Sequence, residues 1–398
     1  MTKQLQDAYI VAATRTPIGK APRGMFKNVR PDDLLVRALQ SALAQVPNLD
    51  PKLIEDAIVG CSFPEGEQGL NLARMGVLLA GLPNTIGGVT VNRYCASGIT
   101  AVAMAADRIR VGQADVMIAA GAESMSMVPM MGHHPSMNMA ILKDENVGMA
   151  YGMGLTGEKV ANQWKISREV QDQFALGSHQ KALAAQAAGY FDDEMTSVEI
   201  VERFPNLATG QIDIKTRTVS KDEGARPDTS LEGLAKLKPV FAAKGSVTAG
   251  NSSQTSDGAG ALILVSEKIL KEFNLTPLAR FASFAVRGVP PEIMGIGPKF
   301  AIPAACRAAG ITQDQIDWFE LNEAFAAQAL AVIQDLGLDP SKVNPMGGAI
   351  ALGHPLGATG AIRSATAIHA MRRNKLKYSM VTMCVGTGMG AAGIFENM

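Results

Sequence analysis

At 398 residues the chain is long enough for two or three domains and for a core that needs no disulfide support. Its 37 basic residues balance 37 acidic ones, so overall charge gives no support to a nucleic-acid or membrane-surface role. Aromatics are only 5% of a chain that is 47% hydrophobic, which predicts a close-packed core of Ala, Val, Ile, Leu and Met, and no apolar run approaches the ~18 residues of a membrane span.

Residues 8–13 read as a short apolar strand that ends in a turn at 15–19. Asp32 and Asp33 then cap an amphipathic helix running to about residue 44. Residues 57–61 read as a second strand, 71–80 as a helix, 88–92 as a strand leading into Cys95, and 116–121 as a further strand. Strands alternating with helices imply a layered α/β unit with a largely parallel sheet.

After Glu123 methionines and histidines crowd the chain, from Met125 to Met153, and a helical stretch over 167–186 and a polar, Lys/Arg-bearing segment follow. Residues 122–246 are therefore read as an inserted lid or loop subdomain. The α/β pattern resumes at 261–265 and then partly repeats itself. Asp56 matches Asp317 at a separation of 261, and Gly98 matches Gly360 at a separation of 262, which suggests a duplicated half. The divisions expected are an N-terminal half over 1–121, completed by about 247–271, the lid over 122–246, and a C-terminal half over 272–398. In such a pair the matching turns face one shared cleft.

Cys95 stands where an apolar run meets a helix. The positive end of the helix dipole and the unpaired first-turn N–H groups there favour thiolate over thiol. Read from this stretch alone, Cys95 is either a nucleophile or one more small buried apolar residue. A thiol nucleophile needs a base, and His354 is the best of the five histidines because it alone lies in a glycine-flanked turn. His133 and His134 lack a carboxylate or cysteine at ligand spacing, so no metal is expected.

The glycine pattern at 388–393 formally matches a dinucleotide fingerprint, but Ile394 to Met398 leave no room for the required helix. Backbone N–H groups near Gly386 are better read as part of an oxyanion pocket. Residues 1–7 lack an apolar signal or an Arg/Ser-rich presequence, and the last residues lack a targeting tripeptide, so a cytoplasmic location is expected. Cys61, Cys95, Cys306 and Cys384 form no CxxC pair, which predicts reduced thiols.

Four blocks carry a specific resemblance: Asn-Arg-Tyr-Cys-Ala-Ser-Gly at 92–98, Asn-Glu-Ala-Phe at 322–325, Gly-Gly-Ala-Ile-Ala-Leu-Gly-His-Pro at 347–355 and Cys-Val-Gly-Thr-Gly-Met-Gly at 384–390. In order and spacing they resemble the signature blocks of the thiolases, and the stretch 248–253 and Arg226-Pro227 fit too. The resemblance implies a five-layer αβαβα fold of two duplicated halves with an inserted lid, assembled as a homodimer or homotetramer.

It implies roles as well. Cys95 would be the acylated nucleophile, His354 its base and Cys384 the second acid/base. Asn322 would hold a water that forms one oxyanion hole with His354, and the N–H groups of Cys95 and Gly386 would form the other. Arg226 would meet the adenine nucleotide of coenzyme A and Ser253 its pantetheine arm, with Met153, Phe241, Met294 and Phe325 shaping the thioester pocket. Lys215, Arg217, Lys221 and Arg226 would supply positive charge for the phosphates.

The implied substrates are 3-ketoacyl-CoA and CoA, with no permanently bound cofactor, and a β-oxidation hydratase/dehydrogenase subunit is a candidate partner. Biosynthetic acetoacetyl-CoA thiolases usually place a histidine before the methionine of the lid block, whereas here Gly152 precedes Met153. Glycine leaves space for an acyl tail and methionines line a tunnel adaptably. The expected activity is thiolytic cleavage of 3-ketoacyl-CoA in fatty-acid β-oxidation. The alternatives are acetoacetyl-CoA thiolase and a non-catalytic acyl-CoA-binding relative.

Overall fold

A computed structural model describes residues 5–398; residues 1–4 of the leader stretch read for targeting signals fall outside the described residues. The chain opens with β1 (Ala8–Arg15), β2 (Gly19–Lys20), α1 (Pro31–Ala44), β3 (Asp56–Gly60), α2 (Leu72–Leu79), β4 (Val89–Val91), α3 (Ser97–Arg110) and β5 (Val116–Ser124). Next come α4 (Met153–Gln163), α5 (Arg168–Ala187), β6 (Val198–Asn206), β7 (Gln211–Val219) and α6 (Leu231–Ala235), before β8 (Ser256–Ser266) and α7 (Glu267–Glu272). The rest is β9 (Ala279–Gly288), α8 (Gly297–Ala309), β10 (Trp318–Leu321), α9 (Ala326–Leu336), α10 (Ala349–Leu352), α11 (Leu356–Arg373), β11 (Tyr378–Val385) and β12 (Met389–Asn397).

The sheet order β10-β11-β12-β9-β1-β8-β5-β3-β4 repeats one pattern, with five strands in one half and four in the other. In the first half β1 pairs antiparallel with β8, β8 antiparallel with β5, β5 parallel with β3, and β3 parallel with β4. In the second half β9, β12, β11 and β10 repeat those directions, and a parallel bridge between Phe319 and Val343 stands where β4 stood. Within the sheet, the described residues pair the two halves at Tyr9 with Arg280 and Ile10 with Ala279. The sheet is thus mixed, not largely parallel as the strand–helix alternation implied. The last strand of each half inserts antiparallel beside two others, and a short turn such as 386–388 between β11 and β12 permits no other direction.

Strand residues alternate between two cores, as a period of two requires. Tyr9, Val11, Val116, Ile118, Ile263 and Val265 face α1 and α2, where Leu34, Leu35 and Leu39 pack. Ile10, Met117, Leu262 and Leu264 face the other way, onto α3 and α11, which meet Phe281, Val381, Met383 and Phe395 of the second half on their far side. Beyond that half lies a third core with Ile302, Ala305 and Val332 from α8 and α9. Helix, sheet, helix pair, sheet and helix make five layers.

The middle layer is close-packed. A Cβ at Gly98 would stand 2.6 Å from the Ala361 backbone nitrogen, and one at Gly360 would overlap Ile99. The glycine pair matched across the sequence repeat is the point where α3 and α11 cross. Only glycine permits backbone this close.

Two elements differ from the sequence expectation. Asp32 and Asp33 lie within the first turn of α1, where they face its positive end, while Arg30 occupies the cap. The polar segment after α5 contains the hairpin β6–β7, paired from Val198–Val219 to Asn206–Gln211. The alternation of Ile212 and Ile214 with polar residues, and Gly210 in the turn, are the signal for it.

Candidate active site

Cys95 lies in a single 3-10 turn, Tyr94–Ala96, that opens α3. The Tyr94 N–H donates to Asn92 Oδ1 at 2.7 Å, and the Ser97 hydroxyl donates to the Tyr94 carbonyl at 2.7 Å while accepting from the Arg93 N–H at 2.8 Å. These local bonds hold Tyr94 at φ 44° and point the thiol inward. The N–H groups of Gly386 and of Cys95 itself both bond toward the sulfur, yet burial outweighs them and pushes the thiol up to about 11. The helix N-terminus was expected to favour thiolate; desolvation reverses that preference in the resting site.

Cys384, at the end of β11, is fully buried, and burial followed by the nearby Cys95 raises its thiol well above the ordinary range. The two sulfurs are thus electrostatic neighbours although 289 residues separate them in the chain. Gly386, two residues on, lies beside the Tyr94 ring and the Met153 sulfur.

His354 hangs between α10 and α11. Gly353 sets it there with φ 104°, and a Cβ at that position would stand 2.5 Å from Ser256 Oγ, so the turn demands glycine. The His354 N–H donates to Ser256 Oγ at 3.0 Å, and the ring shares hydrogen bonds through Nδ1 with Thr359 Oγ1 at 2.6 Å and through Nε2 with Asn322 Nδ2 at 3.3 Å. Burial, then Arg363, pushes the imidazole down to about 3, so it is neutral at physiological pH.

Asn322 follows β10, with its N–H donating to the Thr382 carbonyl at 2.9 Å on the strand that carries Cys384. Its Oδ1 is buried without a hydrogen-bond partner, an acceptor open to a small polar molecule. Cys95 is thus tied to the end of β11 through Gly386, and His354 is tied to the same strand through Asn322.

Met153, Met294, Phe325 and Cys384 share one apolar cluster with Val247 and Ala324. Phe241 meets Phe325 edge-on with centroids 6.2 Å apart and lies against Gly154. A Cβ at Gly152 would meet nothing within 4 Å. Ser253 donates its N–H to the Ala324 carbonyl at 2.9 Å beside this cluster. Arg226 is exposed, with its backbone N–H donating to His179 Nδ1 at 3.2 Å. Lys221 is also exposed, whereas Lys215 and Arg217 lie on the exposed β7, Lys215 over the Phe204 ring and Arg217 3.7 Å from Glu202.

Sequence reasoning missed the groups behind the site. Glu123 closes β5 fully buried and accepts from the Ser62 N–H at 2.7 Å, the Gly357 N–H at 2.8 Å and Gln68 Nε2 at 2.5 Å. It therefore joins the first half to the start of α11. An acid at the end of a wholly apolar strand was the signal for it. Thr359, Ser256 and Arg363 carried none, since small polar and basic residues within a helix or strand are usually unremarkable.

Two family models cover the chain: the thiolase N-terminal domain matches residues 8–268 and the thiolase C-terminal domain residues 275–397. The 3-ketoacyl-CoA thiolase of Bacillus subtilis (strain 168) is 49% identical over 393 residues, which is 98% of this chain and 100% of the relative. Among solved structures, the acetyl-CoA acetyltransferase of Bacillus anthracis superposes with a TM-score of 0.90 at 39% identity, covering 100% of both chains. Human mitochondrial 3-ketoacyl-CoA thiolase in complex with CoA gives 0.87 at 39% identity, covering 99% of this chain and 98% of that one. The dimeric peroxisomal thiolase of Saccharomyces cerevisiae gives 0.88 at 42% identity, with the same coverage. With both family models matched nearly end to end on a fold of two repeated halves, the chain belongs to the thiolase family.

Proposed function

We propose that this chain is a 3-ketoacyl-CoA thiolase, an acyltransferase of fatty-acid degradation that cleaves 3-ketoacyl-CoA with free CoA. The observation that carries the reading is the meeting of two buried thiols, Cys95 and Cys384, at the strand end that also presents the Gly386 N–H. Breaking the C2–C3 bond needs one nucleophile and one acid, and a single sulfur cannot be both at once.

The chemistry follows from the charges. Forming a free thiolate at neutral pH from a thiol near 11 costs about 5 kcal/mol. A neutral imidazole held near 3 does not offset that cost with a resting ion pair. Proton transfer from Cys95 to His354 Nε2 is therefore concerted with formation of the bond from Cys95 Sγ to the 3-keto carbon. The Cys95 and Gly386 N–H groups receive the oxyanion. Collapse breaks C2–C3 and leaves the electron pair on C2 as the enolate of acetyl-CoA. His354, now carrying Nε2–H, and a water held by Asn322 steady that enolate until Cys384 protonates it. The Cys384 thiolate left behind takes the proton of free CoA as the CoA sulfur adds to the Cys95 thioester; collapse releases the shortened acyl-CoA, and Cys95 leaves as a thiol with the proton held on His354 Nε2.

Ser253 and Arg226 serve the pantetheine arm and nucleotide of CoA, and Met153, Phe241, Met294 and Phe325 the thioester. Residues 122–246 cover the site, the space at Gly152 admits an acyl tail, and no cofactor stays bound. The chain works as a homo-oligomer in the cytoplasm; the dimeric yeast relative supports the oligomer. Among the described residues no helix is long and apolar enough to cross a membrane.

Intact mass after incubation with 3-ketodecanoyl-CoA should show a decanoyl chain shortened by two carbons on Cys95; a chain that binds but gains no mass refutes catalysis. The fold match to an acetyl-CoA acetyltransferase favours a second reading, condensation or cleavage of acetoacetyl-CoA. Brisk thiolysis of acetoacetyl-CoA with 3-ketodecanoyl-CoA left intact selects that reading.

A further inference from the structure

We infer that Thr359 is a positioning residue for His354, holding its imidazole in the tautomer that leaves Nε2 without a hydrogen, the form able to take a proton. The inference rests on the thiolase reading of the site.

Two hydrogen bonds on opposite edges of the ring point to the same tautomer. Asn322 Nδ2, with only hydrogens to give, faces Nε2 at 3.3 Å, so Nε2 accepts. A neutral ring then carries its hydrogen on Nδ1, which donates to Thr359 Oγ1 at 2.6 Å. Thr359 is 1% exposed in the first turns of α11, so close packing, together with the bond to Nδ1, holds its oxygen in place.

The partner is a hydroxyl, not a carboxylate. The buried acids of the neighbourhood are occupied elsewhere: Glu123 by the Ser62 and Gly357 N–H groups, Glu320 by Trp318 and Arg363, and Glu323 by Ser178 and Asn344. A carboxylate on Nδ1 would stabilise a resting imidazolium, whose Nε2–H could not take a proton. A hydroxyl orients the neutral ring and still accepts from Nδ1–H once Nε2 has taken the proton of Cys95.

Thr359→Val removes the hydroxyl at nearly constant volume, and Thr359→Ser keeps it. Acyl-enzyme formation, followed by rapid quench and intact mass, should slow about 10²-fold in the Val variant and stay within about threefold of wild type in the Ser variant, with KM for CoA moved less than about twofold in both. Imidazole 15N shifts read the tautomer without turnover: in the wild type Nδ1 should be protonated and Nε2 bare, and the Val variant should show a mixture. A wild-type ring protonated on Nε2, or a Val variant that acylates at the wild-type rate, overturns the inference. If the wild type forms no acyl-enzyme at all, it is the thiolase reading that fails, and the nitrogen shifts still decide the role of Thr359.

Discussion

The turns that open α3 and α11 stand at matching places in the two halves, each leading into a helix of the buried middle layer, and they differ in every chemical respect. The α3 turn carries a thiol inside a helical turn, where its own N–H and that of Gly386 face the sulfur. The α11 turn carries an imidazole just ahead of the helix, hung on a left-handed glycine and held on both ring nitrogens. The repeated architecture accounts for the meeting: helices that cross at Gly98 and Gly360 bring their N-terminal turns to one place. Divergence accounts for the difference, because in the proposed mechanism one turn supplies the nucleophile and the other the base.

The sharpest way to break this comparison is to exchange the sulfurs for other groups one at a time. Cys95→Ser should abolish acyl-enzyme detectable by intact mass, since a hydroxyl facing the same N–H groups is a far weaker nucleophile. Cys384→Ala should leave acylation by an acyl donor partly intact while stopping deuterium exchange at the acetyl-CoA methyl group. Undiminished exchange in that variant removes Cys384 from the acid/base role.

A smaller effect tests the link between the turns. Glu123→Gln keeps the shape but turns an accepting oxygen into a donor against Gln68 Nε2, and should lower stability by about 1–3 kcal/mol in urea with the denaturant slope unchanged. An unchanged midpoint would mean that the strand end does not hold the start of α11.

The smallest expected effect is a flat line. His354 sits near 3 when folded, below its ordinary value near 6.5, so it gains a proton, and loses its function as a base, only as pH falls through about 3. Pre-steady-state acylation should therefore show no acid limb centred near 6.5. A midpoint there would place His354 in a wetter setting, unlike its counterpart turn.

Much of this was legible beforehand. The strands read as continuous apolar runs because β1, β5, β8 and β11 are buried on both faces, and burial on both faces leaves nothing polar to interrupt the run. Cys95, His354, Asn322 and Cys384 stood out because each breaks such a run with a reactive group between small residues. Strand direction was not legible, because residue pattern records burial and not the sense of the neighbouring strand. Thr359 and Ser256 were invisible for a related reason: a hydroxyl signals nothing until the fold brings a partner to it, as Ser256 is brought to the His354 N–H at 3.0 Å across 98 residues.

The linear order of residues by itself determined the repeated α/β pattern, the crossing glycines and which side chains could do chemistry, since propensity, burial periodicity and steric size act locally. Tertiary structure alone decided the mixed sheet, the neutral imidazole and the raised thiols. Those depend on which groups share a water-free space, and desolvation is a property of the assembled fold.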